Sequence, residues 1–355
     1  MEPAHNKETS LKTFLFPPLG LCRARNAAVR SALLAASALA PAFSVHAQSS
    51  LTIYGIVDQG LTKATSGTTP AGMLPGRAPN DDWNIKAGNT SRLGFRGEED
   101  LGGGIYTRFQ IETRFATDTG ALSNANVFWL GRSVLAIGSK DWGEIYSGRE
   151  YSAAYTVALN TDPTLWSYVS QTGSTYTYAN YLPVAATVEA SNIRWSNTIG
   201  YKSPALGAVS FELATGLGEG TRQRSTSANV QYKDGPVWLG AAYDGLDNRT
   251  NLKLIAGGYD FGVVRPTASY SRAKGGLNGD ATSFTVSALV PLSFGRTYVS
   301  YGNLRPATHL NSKMVGAGIQ YDLSKRTLLY TNVGSARQVG QSRTTAFDLG
   351  IKHTF

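Results

Sequence analysis

Phe347-Asp348-Leu349-Gly350-Ile351-Lys352-His353-Thr354-Phe355 is the stretch whose reading decides the fold. Every second residue is apolar or aromatic except His353, and the residues between are small, polar or charged. That alternation describes a strand with one greasy face and one wet face. The same pattern recurs upstream. Ile105, Thr107, Phe109, Ile111, Thr113 and Phe115 share one face, and Tyr106, Arg108, Gln110, Glu112 and Arg114 share the other. Charges at that density cannot enter a packed core without a large desolvation cost, but they suit a water-filled lumen. Residues 192–202 and 225–233 alternate likewise, with Ile193, Trp195, Ile199 and Tyr201 expected to face outward and Asn197 as the exception.

Counted along the chain, the spacing predicts sixteen strands, each followed by a turn. They fall at 51–62, 87–98, 103–116, 125–138, 142–150, 191–203, 207–217, 222–233, 236–245, 250–260, 262–274, 281–290, 294–304, 312–322, 326–336 and 344–355. Short turns such as Asp234-Gly235 alternate with longer connections. Two places resist the scheme. Pro266 lies inside a strand, and Val134 and Ala136 share the face of Arg132. A bulge at either place would repair the register. The longest connection, 151–190, is rich in Tyr and Trp, which argues for a packed loop rather than a disordered one.

Composition agrees. Charged residues make up 16% of 355, against roughly a quarter in soluble domains. No apolar run reaches the length needed for a membrane-spanning helix. Arg23, Arg25 and Arg30, the apolar run Ser31–Ala40 and the small-residue site Val45-His46-Ala47 have the order of an export signal. The expected division is therefore a signal at 1–47, with an over-long N-terminus, and an exported barrel at 48–355. Cys22 falls in the signal, so the exported part is expected to have no disulfide or thiol chemistry. The first 47 residues hold five of the basic and two of the acidic residues, which leaves +6 on the rest. The basic residues are scattered singly rather than in blocks, which argues against nucleic acid as a partner. No HExxH, zinc spacing, GxSxG or P-loop is present, so neither catalysis nor a metal or cofactor is expected.

Four stretches together resemble Gram-negative trimeric porins, especially the beta-proteobacterial type. They are Leu51-Thr52-Ile53-Tyr54-Gly55-Ile56-Val57-Asp58, the run from Ser91 to Gly104, Trp142-Gly143-Glu144-Ile145-Tyr146-Ser147-Gly148-Arg149, and Gly350–Phe355. The resemblance implies an all-β, 16-stranded antiparallel transmembrane barrel in the outer membrane. It also implies a homotrimer and a third external loop, here about 151–190, folded into the lumen. In such barrels the last strand carries a signal read by the barrel assembly machinery, which makes Phe355 the expected assembly signal. Lipid and lipopolysaccharide are further implied partners. Arg92, Arg132 and Arg194 match positions where inward arginines line the narrowest part of the pore. Asp162 and Glu189 are the loop carboxylates expected near them, although the chain lacks the family's Pro-Glu-Phe-Gly loop motif.

The arginines admit two compatible readings. They charge the opening and favour anions, or they pair with Asp162 and Glu189 and pin the loop. Arg96, Arg108, Glu112, Arg114 and Lys202 are expected to line the pore, as an ion-pair ladder or as a track for anions. Phe109, Phe115, Trp195, Tyr201, Tyr232 and Tyr243 are expected on the lipid face. The resulting expectation is passive diffusion of small hydrophilic solutes with mild anion preference. Two alternatives stay open: a channel specific for an organic acid or a sugar, marked by saturable flux, and a non-conducting barrel adhesin or enzyme.

Overall fold

In a computed structural model, residues 50–64, 82–179, 181, 193–218, 224–246, 249–275, 279–308 and 311–355 are described. The expected signal at 1–47 and Glu189 lie outside the described residues. The strands are β1 (Ser50–Ala64), β2 (Asn84–Lys86), β3 (Ser91–Gly102), β4 (Ile105–Phe115), β5 (Arg132–Ser139), β6 (Gly143–Tyr151), β7 (Arg194–Lys202), β8 (Val209–Gly216) and β9 (Ser225–Asp234). They continue as β10 (Val237–Gly245), β11 (Asn251–Tyr259), β12 (Arg265–Lys274), β13 (Ala281–Leu292), β14 (Gly295–Pro306), β15 (Ser312–Asp322), β16 (Thr327–Gln338) and β17 (Thr344–Thr354). All belong to one antiparallel sheet.

The sheet closes on itself. β1 pairs with β17 from Ile56 opposite Thr354 to Ala64 opposite Ala346. The seam is finished by Phe355, whose backbone N–H donates to the Gly55 carbonyl and whose carbonyl accepts from Gly55 N, at 3.2 and 3.0 Å. On the other side of β1, the short β2 covers Gly60–Thr62 and β3 covers Ser50–Ile56. These two pieces form one stave, so the wall has sixteen positions, as the sequence pattern implies. Closure leaves no unpaired edge, which is what a sheet needs to stand in hydrocarbon.

Alternation survives in the folded wall. Leu349 and Ile351, predicted on the greasy face of the last strand, are exposed outward, while Asp348 is buried. The exposed apolar residues, such as Leu135, Ile255, Val286 and Val315, form the outer surface. Phe109, Tyr232 and Tyr243 lie on that surface, and Tyr201 and Phe115 are half-buried.

Several details differ from the sequence reading. Residues 125–131 lie outside any strand, so the strand expected over 125–138 begins only at Arg132, as β5. No register shift occurs in β5; Val134 and Ala136 simply face inward with Arg132, and Leu135 and Ile137 face outward. Pro266 is also accommodated without a bulge. The β11 ladder ends at Thr267, one residue past it. Register shifts fall instead at the end of β3, between Asp100 and Gly102, and between β6 and β7, where Gly148 opposes Thr198 but Glu150 opposes Trp195. The extra residue lies on β7, where Asn197 adopts φ 56°. Residues before Asn197 therefore change face. Trp195 is 2% exposed inside the barrel, not on the lipid side where its phase had placed it.

Gly148 sits beside this shift at φ 122°, and a Cβ there would stand 2.0 Å from the Ser133 carbonyl oxygen. The Gly148→Ala variant is expected to lose about 1–3 kcal/mol of stability. A lowered urea midpoint for the gel-resolved folded form would show it; an unchanged midpoint would mean the wall relaxes freely there.

Candidate functional site

The inner wall divides into two halves. Over β1–β8 the inward side chains form a connected polar ladder. Arg132 clamps Glu150 with two bonds, Nε to Oε1 at 2.8 Å and Nη2 to Oε2 at 2.6 Å, and Nη1 donates to Gln110 at 2.6 Å. Gln110 donates to the Tyr54 hydroxyl at 2.6 Å, and Tyr54 donates to Glu112 at 3.3 Å. Arg114 pairs with Glu112 at 2.8 Å. Nearer the short turns, Arg108 holds Glu144 with two bonds of 2.5 Å. Lys202 lies 3.8 Å from Glu150 and 3.9 Å from Glu212. Paired carboxylates and guanidinium forks of this kind keep inward charges satisfied and the staves in place. The expected pore-lining residues Glu112, Arg114 and Lys202 thus sit in one network, the Arg108–Glu144 pair forms a separate bridge that feels the charges of Glu150 and Arg132, and exposed Arg96 lies 5.5 Å from the centre of the Tyr54 ring.

The ladder ends at Tyr151. Its hydroxyl accepts from Arg194 at 2.6 Å and from Arg114 at 3.1 Å. The guanidinium carbons of Arg194 and Arg132 lie 4.3 and 5.2 Å from its ring centre. Such cation–ring contacts strengthen where water is excluded. Arg92 belongs to the same electrostatic cluster; its guanidinium donates to the Thr90 carbonyl at 3.2 Å and to Asn89 at 2.7 Å. The three arginines singled out in the sequence are therefore brought together, around a tyrosine that the sequence reading treated only as a loop aromatic.

Over β9–β17 the inner wall is covered by the long connection. Tyr151 stacks on Tyr155 in the short helix α1 (Ala153–Leu159), at 4.6 Å between ring centres. Ser152 caps α1, accepting from Tyr155 N and donating to Asp244 at 2.7 Å. The chain then crosses the polar face of the wall strand by strand. Asn229 donates to the Ala153 carbonyl at 2.6 Å, Thr267 and Ser287 to the Thr161 carbonyl at 2.9 Å, and Ser300 to the Ser170 carbonyl at 3.2 Å. Val169 N donates to Asp348 at 2.9 Å. Side chains of the wall replace the water that these loop carbonyls would otherwise need. Under the loop the interior is dry: Leu252, Leu254, Met314 and Tyr176 are essentially inaccessible.

The family-model comparison matches the Gram-negative porin family over residues 31–341. The chain belongs to that family. The outer membrane porin protein of Bordetella pertussis is 24% identical to this porin, over 92% of the chain and all of the relative. Outer membrane porin protein 32 of Delftia acidovorans is 27% identical, over the same shares. Among solved structures, the anion-selective porin from Comamonas acidovorans superposes with a TM-score of 0.70 at 23% identity, over 87% of this chain and all of that one. Salmonella typhi OmpF does so at 0.64 and 16% identity, over 86% and 97%. These place the porin in the Gram-negative outer membrane, among channels rather than enzymes.

One site expectation is corrected by the geometry. Asp162 does not meet the arginines. Its carboxylate is buried in the porin's own loop, accepting from Thr164 N and Oγ1 at 2.9 and 2.6 Å and from Thr172 N and Gly173 N at 2.9 and 3.0 Å. Burial pushes its carboxyl above the ordinary aspartate range, and those four bonds pull it back. The carboxylates that do face the arginines are Glu150 and Glu112, both from the wall. Glu150, Glu144 and Tyr54 carry a signal that was available, since each shares the inward phase of its strand.

Asp162→Ala would orphan three loop N–H groups, at about 1–3 kcal/mol for each buried one. Faster chymotryptic cleavage within 152–181 is expected, with the barrel still folded and ion selectivity unchanged. Altered selectivity with an uncut loop would return Asp162 to the arginine cluster. Tyr151→Phe removes a hydroxyl that accepts from two charged groups, and a loss of about 1.5–3 kcal/mol per bond is expected in urea unfolding.

Proposed function

We propose that this porin is a homotrimeric diffusion pore whose opening runs between the charged ladder of β1–β8 and the loop lying on β9–β17. Small hydrophilic solutes pass unassisted, with anions favoured. We further propose that residues 1–47 are removed on export, that 48–355 is the barrel, and that 151–190 is its constriction loop. Phe355 at the seam serves the assembly machinery.

One observation carries the anion preference. Arg92, Arg114, Arg132 and Arg194 gather at Tyr151, while Glu112 and Glu150 compensate Arg114 and Arg132. Arg92 is held by two neutral acceptors, so its hydrogen bonds leave its charge standing. Fixed positive charge in a narrow, low-dielectric passage raises the local concentration of anions. Guanidinium stays protonated across all working pH, so the preference should not titrate away. The similarity to the anion-selective porin from Comamonas acidovorans points the same way.

The test is the reversal potential of reconstituted channels in a potassium chloride gradient. Arg92→Ala, and more so Arg92→Ala with Arg132→Ala, is expected to move the potential toward that of a non-selective pore. Unchanged anion selectivity in the double variant would remove the arginines from the mechanism. Flux that saturates at low solute concentration would favour a substrate-specific channel instead.

A further inference from the structure

The constriction loop leaves one apolar side chain out of its packing. Between Ser152 and Tyr181, Asn160 and Leu165 are the only exposed positions among the described residues. Leu165 is 52% exposed, the one large apolar side chain of this stretch that stands open to water. Its neighbours are shut in: Thr164, Ser167 and Tyr168 are buried. A leucine in water is ordinary on an outer surface. This one is held there against the preference of its own backbone. Leu165, Trp166 and Tyr168 adopt left-handed φ values of 53°, 60° and 65°. Bulky residues take that conformation rarely, and only where the surroundings impose it.

The surroundings do impose it. Leu165 N donates to the Asp162 carbonyl at 2.9 Å, and Ser167 N donates to the Thr164 hydroxyl at 3.3 Å. Tyr168 N donates to the Gly88 carbonyl at 2.8 Å, which fastens the far end of this turn. Trp166 is held between Tyr155 and Tyr178 in two edge-to-face contacts, at 4.7 and 5.1 Å between ring centres. Its ring lies over Gly173, where a Cβ would stand 2.5 Å from the Trp166 Cγ. With its neighbours fixed in this way, Leu165 cannot fold inward. The same rings lead back to the arginines. Trp166 meets Tyr155, Tyr155 stacks on Tyr151, and the Tyr151 hydroxyl accepts from Arg194 and Arg114. One aromatic row therefore has cations at one end and an exposed leucine at the other.

We propose that Leu165, with the half-buried Trp166 beside it, is an apolar selectivity site that favours carboxylates with an aromatic or branched hydrocarbon body over mineral and polar anions. The field of the arginines draws the carboxylate into the opening. The body of the solute leaves water by covering Leu165, and the leucine leaves water with it. Charge decides that an anion enters, and the leucine decides which anion lingers. The inference rests on the proposed anion-favouring opening between ladder and loop, and deepens it by naming a solute class.

The test uses the full folded porin in planar bilayers at neutral pH, with benzoate and nicotinate as probes. The two share shape, size and carboxylate, and differ in the ring nitrogen that makes nicotinate the more polar. Each is titrated against the single-channel chloride current. Benzoate is expected to halve the current at about fivefold lower concentration than nicotinate, the effect of covering on the order of 40 Å² of apolar surface. L165N is expected to bring the two concentrations together; asparagine accepts a left-handed φ, so the loop can keep its shape. L165M, which keeps an apolar side chain, is expected to retain the difference. Equal block by the two probes in the native channel would overturn the proposal. So would a fivefold difference that survives in L165N or vanishes in L165M. The reversal potential of the same channels in a potassium chloride gradient keeps the two readings apart. Anion selectivity with equal block overturns the leucine site alone, whereas a pore without anion selectivity overturns the charged opening on which that site rests.

Discussion

No backbone N–H or C=O can stand unpaired in hydrocarbon, and this constraint fixes everything else about the wall. It forces the sheet to close, and β1 on β17 closes it. Closure then separates two solvents, so successive residues must satisfy opposite demands. The exposed residues Leu349 and Ile351 and the buried Asp348 beside them show the rule over a few positions. The charged ladder is tolerable only because its members face one another across an enclosed interior. Glu150 would be untenable at 1% exposure without the fork of Arg132.

The interior is asymmetric. One half of the wall presents charge, and the other is papered over by its own loop. The loop is held largely by hydrogen bonds from wall side chains to its backbone, with dry packing at Leu252, Leu254 and Met314. Tyr151 stands at the junction, last residue of β6, bound by arginines from the ladder and stacked on the first turn of the loop. Charge placement and loop placement are therefore set by the same side chain. A change to either should be felt by the other.

The strand pattern was legible because period-two alternation between lipid and water is a strong, local signal, as in β4, where each predicted inward residue is found in the ladder. The failures have equally local causes. Trp195 was misplaced because one backbone dihedral, at Asn197, reverses the phase; Asn197 already stood out as the exception to the alternation, and asparagine tolerates such a dihedral, but neither sign by itself fixes a reversal. The dry zone under the loop was hidden because Leu252 and Leu254 alternate with Lys253 and Ile255, so the alternation puts the only charge on the face that turns outward. Asp162 was misassigned because a lone loop acid in a basic pore invites pairing, whereas four donors from its own loop claim it first. Tyr151 could not be recognised from its strand, since its role depends on Arg114 and Arg194 arriving from distant staves.

The seam has a consequence for the order of events in assembly. Gly55 and Phe355 sit near opposite ends of the described chain and become neighbours only when the cylinder shuts. The contact between Tyr330 and Asp58, at 2.7 Å, likewise spans most of the polypeptide. Such distant partners make closure a late and slow step. Until it happens the growing sheet has two bare margins, each able to recruit a stray strand. A nascent chain of this design therefore needs an escort for its entire length, and a fragment lacking either margin has no means of becoming a pore.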